Sequence, residues 1–178
     1  MWELETEPAR ERPDLMADRV AAGLEGWEPA ARVLAAPIDP DLADTGECAA
    51  HYGIPLGSSA NCVVIAAKRA GRVRMAACMV LATTRADVNG VARRHLEARK
   101  ASFAPQGDVV AATGMEYGGI TPIGLPRDWP VLVDEAVLEA GPVVIGSGLR
   151  SSKLVLPGAD LAALPGAETV SGLGVRTD

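Results

Sequence analysis

The chain has 178 residues and a formal net charge of −6, and 48% of its residues are apolar while only 3% are aromatic. This length suits one domain with a core of Ala, Val, Leu and Ile, since about 150 residues bury roughly 68–70% of their unfolded surface. The apolar runs are too short for a membrane span of ~20 residues, and the acidic N-terminus is unlike a signal peptide. The three cysteines are odd in number and lack C-x-x-C spacing. Together with the absence of a signal peptide and of a membrane span, this leads us to expect a protein of the reducing cytoplasm.

The first 30 residues are predicted to form an appendage to a main domain that spans residues 31–178. Residues 1–13 are rich in acids and prolines and are expected to be a loose lead-in. Asp14 then caps a predicted helix whose apolar residues fall on one stripe. These residues are Met16, Val20, Leu24 and Trp27.

Two predicted elements follow before the centre of the chain. Ala31–Ile38 has the composition of a strand, and Pro37 indicates that this strand is, or ends at, an edge of the sheet. Asp44 and Glu47 have the spacing of a capping box, so a short helix should begin there and end at Gly53.

The strongest structural signal is a predicted β-hairpin. Asn61–Ala67 and Val73–Thr83 are apolar runs joined by five residues that include Gly71. A short polar connection with glycine between such runs predicts adjacent antiparallel strands. The first run is apolar without alternation, so we place both strands in the centre of a sheet that is covered on both faces.

The second half of the chain alternates between predicted helices and strands. Thr84 and Asp87 form a second capping box before a helix, and Asp108–Thr113 is a short helix ended by Gly114. Strands are expected at Val131–Asp134, Val143–Ile145 and Lys153–Leu156, with a helical turn at Ala159–Leu164. This order of elements predicts an α+β fold with a mixed sheet.

Charge is distributed unevenly along the chain. Residues 61–100 carry nine basic residues against two acidic ones, a net charge of +7 within an acidic protein. A basic segment of this kind can bind a polyanion such as RNA locally. Scattered arginines exposed to solvent explain the pattern equally well, and the sequence leaves both interpretations open.

Two glycine-rich loops are candidate sites. The first loop, Thr113–Pro126, contains the paired glycines Gly118 and Gly119, whose backbone amides a ligand can approach closely, and two prolines that stiffen it. The second loop, Gly146–Lys153, follows an apolar strand and includes Arg150, which can hold a phosphate or carboxylate. Ordinary turns are the alternative for both loops, and the first loop does not have the spacing of a phosphate-binding loop.

The sequence does not indicate metal or thiol chemistry. His51 and His95 are far apart, and no Cys/His cluster has the spacing of a zinc site. Cys62 and Cys78 lie in apolar strands, so we interpret them as core thiols and not as nucleophiles.

These motifs, taken in order, resemble the YbaK/EbsC family, which includes the editing domain inserted in bacterial prolyl-tRNA synthetases. The resemblance rests on the first glycine loop, on Val131–Asp134, on Val144–Gly148 and on Lys153–Leu154. It runs from about Ala31 to Leu173 and leaves residues 1–30 outside. It implies a curled mixed β-sheet close to a barrel and flanked by helices, to which this chain adds an N-terminal helix, and it implies no metal or organic cofactor.

The resemblance also implies an activity. Such relatives hydrolyse the ester that joins a wrong amino acid to its tRNA. We therefore expect an aminoacyl-tRNA deacylase that acts on mischarged tRNA carrying a small amino acid, such as Ala, Ser, Thr, Cys or Pro. The expected partner is the 3′ aminoacyl end of the tRNA, with a synthetase as a further candidate, and neither DNA nor a membrane is expected.

Site residues follow from the same resemblance. The expected catalytic residues are Gly118, Gly119 and Gly148, whose amides would meet the carbonyl oxygen of the aminoacyl group, and Asn61, which would orient the terminal adenosine. The other pocket residues implied are Ile120, Thr121, Pro122, Gly124, Gly146, Ser147 and Arg150.

Asn61 departs from the family pattern, because by alignment it occupies the position of a lysine that binds the tRNA end and supports activity. A neutral amide donates hydrogen bonds but supplies no positive charge. Hydrolysis assisted by the substrate's own groups would tolerate this change. A non-catalytic module that binds an aminoacyl end or a synthetase is the alternative function.

Overall fold

The fold is of the α+β class, as predicted. The computed structural model describes residues 1–177, in which eleven strands form one sheet of five strands, one of four and one of two. The two larger sheets meet at a bridge between Ser59 and Val144, and they do not close into a barrel. Over the described residues, no helix has the length and apolarity needed to cross a membrane.

The elements are short, and their bounds are as follows. The strands are β1 (Glu7–Pro8), β2 (Leu34–Pro37), β3 (Ala60–Arg69), β4 (Arg72–Leu81), β5 (Thr84–Ala86), β6 (Lys100–Phe103), β7 (Val131–Asp134), β8 (Pro142–Gly146), β9 (Ser152–Pro157), β10 (Ala167–Val170) and β11 (Gly174–Arg176). The α-helices are α1 (Asp18–Leu24), α2 (Thr45–His51), α3 (Arg93–His95), α4 (Gln106–Thr113) and α5 (Glu135–Glu139).

The predicted hairpin forms the interior of the five-stranded sheet. The strand order is β10-β7-β4-β3-β6, and β3 pairs with β4 antiparallel from Ala60 opposite Leu81 to Arg69 opposite Arg72. β7 pairs in parallel with both β4 and β10, so the sheet is mixed. The hairpin and its central position are therefore confirmed.

The four-stranded sheet has the order β1-β2-β9-β8 and is antiparallel throughout. Pro37 is the last residue of β2 and lies opposite Ser152 of β9. β1 pairs only with Leu34 and Ala35, so Pro37 has a neighbouring strand on one side alone and β2 ends at a local edge, as predicted. The two-stranded sheet joins β5 to β11.

The five-stranded sheet is covered on both faces, which explains why its apolar residues do not alternate with polar ones. On one face, Ala77 and Met79 belong to the main core cluster, together with α1 and Trp27. On the other face, Cys78 packs in a second cluster beneath a π-helical turn at Val88–Ala92.

The N-terminal residues are part of the main core. The predicted stripe of Met16, Val20, Leu24 and Trp27 is entirely buried. α1 begins at Asp18, four residues after the predicted cap Asp14, because Pro13–Leu15 forms a separate 3-10 turn. The predicted loose lead-in also contributes buried residues, among them Ala9.

Local details differ from the sequence-based expectation at the second capping box. Thr84 lies in β5, and Asp87 alone caps the following helix by accepting hydrogen bonds from the amides of Gly90 and Val91, both at 3.1 Å. The first capping box is correct in position, since Asp44 accepts hydrogen bonds at the start of α2. The elements that were not predicted are β1, β5, β6, β10, β11 and α5.

Candidate active site

A cleft of about 340 Å³ lies where the two larger sheets meet, a volume within the usual range of small-molecule sites. The start of β3 approaches β8 there, next to the bridge between Ser59 and Val144. The segment before and within α2 forms one wall, and the first glycine loop forms another. The lining includes Asp41, Ala43, Asp44, Thr45, Glu47, Asn61, Tyr117, Gly118, Ile120, Gly146, Arg150 and Lys153.

Asn61 lies in this cleft at the start of β3. The hydroxyl of Thr45, in the first turn of α2, donates a hydrogen bond of 2.6 Å to Asn61 Oδ1. Asp44 fixes this turn, because its carboxylate accepts a hydrogen bond of 2.9 Å from the amide of Gly46. The Asn61 amino group makes no hydrogen bond to residues 1–177, so it remains available to a ligand.

Lys153, on β9, brings a buried ammonium group to the cleft. The residue is only 6% exposed, and Nζ donates a hydrogen bond of 2.9 Å to the carbonyl oxygen of Ala43. Burial lowers the pKa of Lys153 below its ordinary value. Arg150 acts in the same direction, whereas Asp44 and the Cys48 thiol oppose it.

Arg150 borders the cleft, but its guanidinium group joins two loops. Nη1 donates to the carbonyl oxygen of Tyr117 at 3.2 Å, and Nη2 donates to that of Pro40 at 3.0 Å. Gly118 fits this arrangement because its φ is +89° and a Cβ there would lie 2.7 Å from Nη1. Arg150 therefore stabilises the shape of the cleft through two of its five guanidinium N–H groups.

The three glycine amides expected at the carbonyl oxygen differ in availability. The Gly148 amide donates to Gly119 O at 2.7 Å, and the Gly119 amide donates to Glu116 O at 3.0 Å. Both groups hold the two glycine loops together, so the structure does not offer them to a ligand. Gly118 faces the cleft, and in the described part of the chain its amide has no acceptor.

Close packing explains why glycine is needed at Gly119 and at Gly146. A Cβ at Gly119 would lie 2.6 Å from Leu149 O, and a Cβ at Gly146 would lie 2.5 Å from Gly119 O. Real side chains do not make such approaches to backbone atoms, so both positions require glycine. Gly146 still borders the cleft, as expected from the sequence.

Four further residues expected in the pocket lie elsewhere. Thr121 and Ser147 are fully buried, and the Ser147 hydroxyl lies 2.7 Å from that of Ser152. Pro122 and Gly124 border a separate hollow beside α1 and Trp27. The first glycine loop thus faces the cleft only through Tyr117, Gly118 and Ile120, because the chain then turns inward towards α1.

Cys62 also borders the cleft, but its thiol is not activated. Burial raises the pKa of Cys62 well above its ordinary value. Burial also raises the pKa of Cys78 to about 12. The thiolate is the nucleophilic form of cysteine, so neither thiol is an activated nucleophile. Cys78 is a core thiol, as predicted, whereas Cys62 is only half-buried and lines the cleft beside Asn61.

A second, apolar hollow of about 340 Å³ opens beside the cleft and shares Tyr117 and Ile120 with it. Phe103, the last residue of β6, lines this hollow and is 70% exposed, and Tyr117 is 61% exposed. Two exposed aromatic rings in a chain with 3% aromatic residues provide flat apolar surface next to the polar cleft.

Comparison with protein families identifies the domain that carries this cleft. The model of the aminoacyl-tRNA editing domain family matches residues 39–164, more than half of the chain. The chain belongs to this family. The resemblance to YbaK-like editing domains is therefore confirmed, and every residue that lines the cleft falls within the matched span of this editing domain.

Solved structures share the fold of this editing domain. A crystal structure described as a candidate trans-editing enzyme for prolyl tRNA synthetase superposes with a TM-score of 0.75 at 22% identity, over 91% of this chain and 97% of the other. The hypothetical protein APE2540 superposes with a TM-score of 0.68 at 20% identity, over 81% of this chain and 91% of the other. At these identities the likeness shows the fold alone.

Sequence analysis of the editing domain missed Lys153 and Thr45 as cleft residues. A signal for Lys153 exists in hindsight, since a lysine followed by three apolar residues in a predicted strand is a charge at a buried position. Thr45 carries no such signal, because only the tertiary fold brings it to Asn61, 16 residues later.

Proposed function

We propose that this editing domain is an aminoacyl-tRNA deacylase that hydrolyses the ester of mischarged tRNA in trans. The observation that carries the proposal is that the family match contains every residue lining the cleft. The cleft itself supports it, because unused hydrogen-bond donors lie beside an apolar hollow. A ribose ester with an attached base needs both kinds of surface.

In the proposed reaction, the oxygen of a water molecule attacks the ester carbonyl carbon, and the π electrons of the carbonyl bond move to its oxygen. The tetrahedral intermediate then re-forms the carbonyl bond and releases the ribose oxygen. The proton that water loses ends on that oxygen, so the products are the free amino acid and tRNA with its terminal hydroxyl restored. The unused amide of Gly118 is the proposed donor to the carbonyl oxygen.

The proton transfer is assigned to the substrate. No histidine of the described residues lines the cleft, and burial raises the pKa of Cys62. The neighbouring ribose hydroxyl of the terminal nucleotide is the proposed relay between the attacking water and the leaving oxygen. Asp41, Asp44 and Glu47 also line the cleft, and their carboxylates are the alternative general bases.

The terminal adenosine is assigned to Asn61 and the apolar hollow. The Asn61 amino group can donate a hydrogen bond to the sugar or to the base. The rings of Phe103 and Tyr117 offer a surface on which a base can stack, an interaction that contributes ~1–3 kcal/mol per base.

The acyl group is proposed to be a small amino acid, such as Ala, Ser, Thr, Cys or Pro. The cleft has to hold the ribose and the acyl group within about 340 Å³. Its loop wall cannot widen easily, because the hydrogen bonds of Gly119, Gly148 and Arg150 hold it in place. A synthetase is a further proposed partner, by analogy with the structural neighbour described for prolyl tRNA synthetase.

The test is hydrolysis of a panel of mischarged tRNAs by the purified full chain. We expect release of small amino acids at a rate well above spontaneous hydrolysis, and no release from correctly charged tRNA with a large side chain. A protein that releases no amino acid from any member of the panel would contradict the proposed activity.

The second candidate is a binding module without hydrolysis, and the neutral Asn61 favours it. This module would bind mischarged tRNA with a measurable Kd while the ester decays only at its spontaneous rate. The same panel, with filter binding measured beside amino-acid release, separates the two functions.

A further inference from the structure

Lys153 is a buried cation that the protein does not neutralise. It is only 6% exposed, and the carbonyl oxygen of Ala43 is its one hydrogen-bond acceptor in residues 1–177. No carboxylate among the described residues forms an ion pair with Nζ. Burial of an ammonium group is costly, so two unused N–H donors in a cleft indicate a ligand.

The other charges of the cleft restrict what that ligand can be. Asp41, Asp44 and Glu47 line the cleft with Arg150 and Lys153, so its formal charge is slightly negative. A phosphate would be repelled by the three carboxylates before it reached Lys153. A neutral carbonyl group meets no such barrier, and an aminoacyl ester carries a positive ammonium group that the carboxylates attract.

The strand register directs Lys153 towards the first glycine loop. Lys153 lies opposite Gly146 of β8, and paired residues share a face of the sheet. On that face the backbone of Gly119 and Ile120 lies directly over Gly146. Lys153 and the unused amide of Gly118 therefore border the same cleft as two separate donors.

We propose that Lys153 is a catalytic residue of this editing domain, whose ammonium group donates a hydrogen bond to the ester carbonyl oxygen. This inference rests on the deacylase function proposed above. The contact strengthens as the attacking water moves electrons onto that oxygen, so Lys153 stabilises the transition state more than the bound substrate. The covalent steps and the fate of the proton stay as described.

The test compares Lys153→Met with Lys153→Arg in the full chain. Removal of one preorganised donor to a developing oxyanion costs about 10²–10³ in kcat. We expect Lys153→Met to lose at least 100-fold in kcat, and Lys153→Arg, which keeps a charged donor, to recover part of that loss. We expect the melting temperature of Lys153→Met to equal or exceed that of the wild type, because an apolar side chain replaces a buried charge.

A binding measurement keeps this inference separate from the deacylase proposal. The probe is 3′-alanylamino-3′-deoxyadenosine, whose amide keeps the carbonyl oxygen and resists hydrolysis, measured by calorimetry. Tighter binding by the wild type than by folded Lys153→Met, by about tenfold, supports the contact even if the wild type hydrolyses no tRNA. Equal binding by the two proteins, or no binding by the wild type, overturns it, as does a folded Lys153→Met protein with wild-type kcat.

Discussion

At the scale of single residues, the burial of Lys153 predicts a pH dependence. Its pKa is lowered in the folded state, so between that pKa and its ordinary value of 10.5 the unfolded chain binds more protons than the folded one. The free energy of unfolding contributed by this group therefore rises with pH across that interval. We expect any stability advantage of Lys153→Met over the wild type to shrink as the pH is raised towards 10.5, measured by thermal unfolding.

The proposed catalytic role predicts the opposite trend for activity. Loss of the charge should reduce kcat in the same alkaline interval, after correction for spontaneous ester hydrolysis. Lys153→Arg stays charged there and should not show this decline. The groups that also face Lys153 are Asp44, Cys48 and Arg150, so Cys48→Ser is the control for a decline caused by thiol ionisation. If kcat also falls at alkaline pH in Lys153→Arg, the titration of another group causes the fall.

The pair formed by Asn61 and Thr45 predicts a change in substrate affinity. If Asn61 orients the terminal adenosine, Asn61→Ala should raise KM about three- to tenfold and leave kcat nearly unchanged, since the loss of one hydrogen bond costs ~0.5–1.5 kcal/mol. Thr45→Val removes the hydroxyl that holds the Asn61 side chain and should give a smaller change in the same direction. A 100-fold fall in kcat for Asn61→Ala would instead place Asn61 in the chemical step.

Thr121 predicts a stabilising substitution. Its hydroxyl is fully buried and has no hydrogen-bond partner in the described structure, which costs about 1–3 kcal/mol. Thr121→Val has nearly the same shape and should raise the free energy of unfolding by about 1 kcal/mol, measured by urea denaturation. Deacylation should not change, because Thr121 lies outside the cleft. Loss of activity in a stable Thr121→Val protein would indicate that Thr121 contacts the substrate after all.

At the scale of elements, the turn between β3 and β4 offers the clearest substitution that should stabilise the protein. Ala70 and Gly71 have φ values of 49° and 78°, so both central residues of this two-residue turn are left-handed. Such a turn favours Asn-Gly, and alanine is strained in that region. Ala70→Asn should stabilise the protein by about 0.5–1 kcal/mol in urea denaturation, whereas Gly71→Ala, the matched control, should destabilise it. Equal effects of the two changes would contradict this assignment of the turn.

The sequence was sufficient for elements whose signals are local. The hairpin, the cap at Asp44 and the end of α4 at Gly114 all depend on neighbouring residues, and all appear where predicted. β10 and β11 were missed because they pair with segments more than 30 residues away, which no local pattern records. Long-range pairing overrides weak local preferences in such strands.

The candidate site was predicted less completely than the fold. Asn61, Gly118, Ile120, Gly146 and Arg150 do meet in one cleft. From the sequence, the loop glycines were expected to offer free backbone amides to a ligand. A glycine can equally allow two backbones to pack closely. Only the hydrogen bonds seen in the three-dimensional structure distinguish the two roles. Lys153 was missed for the same reason, because its place in the cleft depends on the register between β9 and β8, which cannot be derived from the sequence.

At the scale of the whole molecule, four basic residues lie at the turn end of β3 and β4. Lys68 lies opposite Lys100 of β6, and Arg69 lies opposite Arg72. Asn61 is seven residues away along β3, or about 23 Å at roughly 3.3 Å per residue. The basic end and the cleft are thus far enough apart to contact different parts of one tRNA.

This arrangement predicts that tRNA affinity falls steeply with salt. Each phosphate contact that is removed should lower the slope of log K against log salt by about 0.9. We expect Lys68→Ala with Lys100→Ala to reduce the slope by up to two such steps, measured by fluorescence anisotropy. Arg32→Ala is the control, because Arg32 is ion-paired with Asp160. An unchanged slope in the double variant would favour the interpretation that these residues are only solvated.

The N-terminal segment packs on the second glycine loop and on the main core, so it folds together with the editing domain. The amide of Ala17 donates to Ser147 O at 3.1 Å, and the Ser152 hydroxyl donates to Leu15 O at 2.6 Å, so residues before the family match support the second glycine loop. Ten of the 24 buried members of the main core cluster also precede residue 39. A fragment limited to residues 39–164 would expose to water the apolar core surface that the N-terminal residues cover, so we expect it to aggregate when expressed. The part of the chain that folds as one unit therefore extends beyond the span matched by the family, because residues that precede residue 39 hold the second glycine loop in shape.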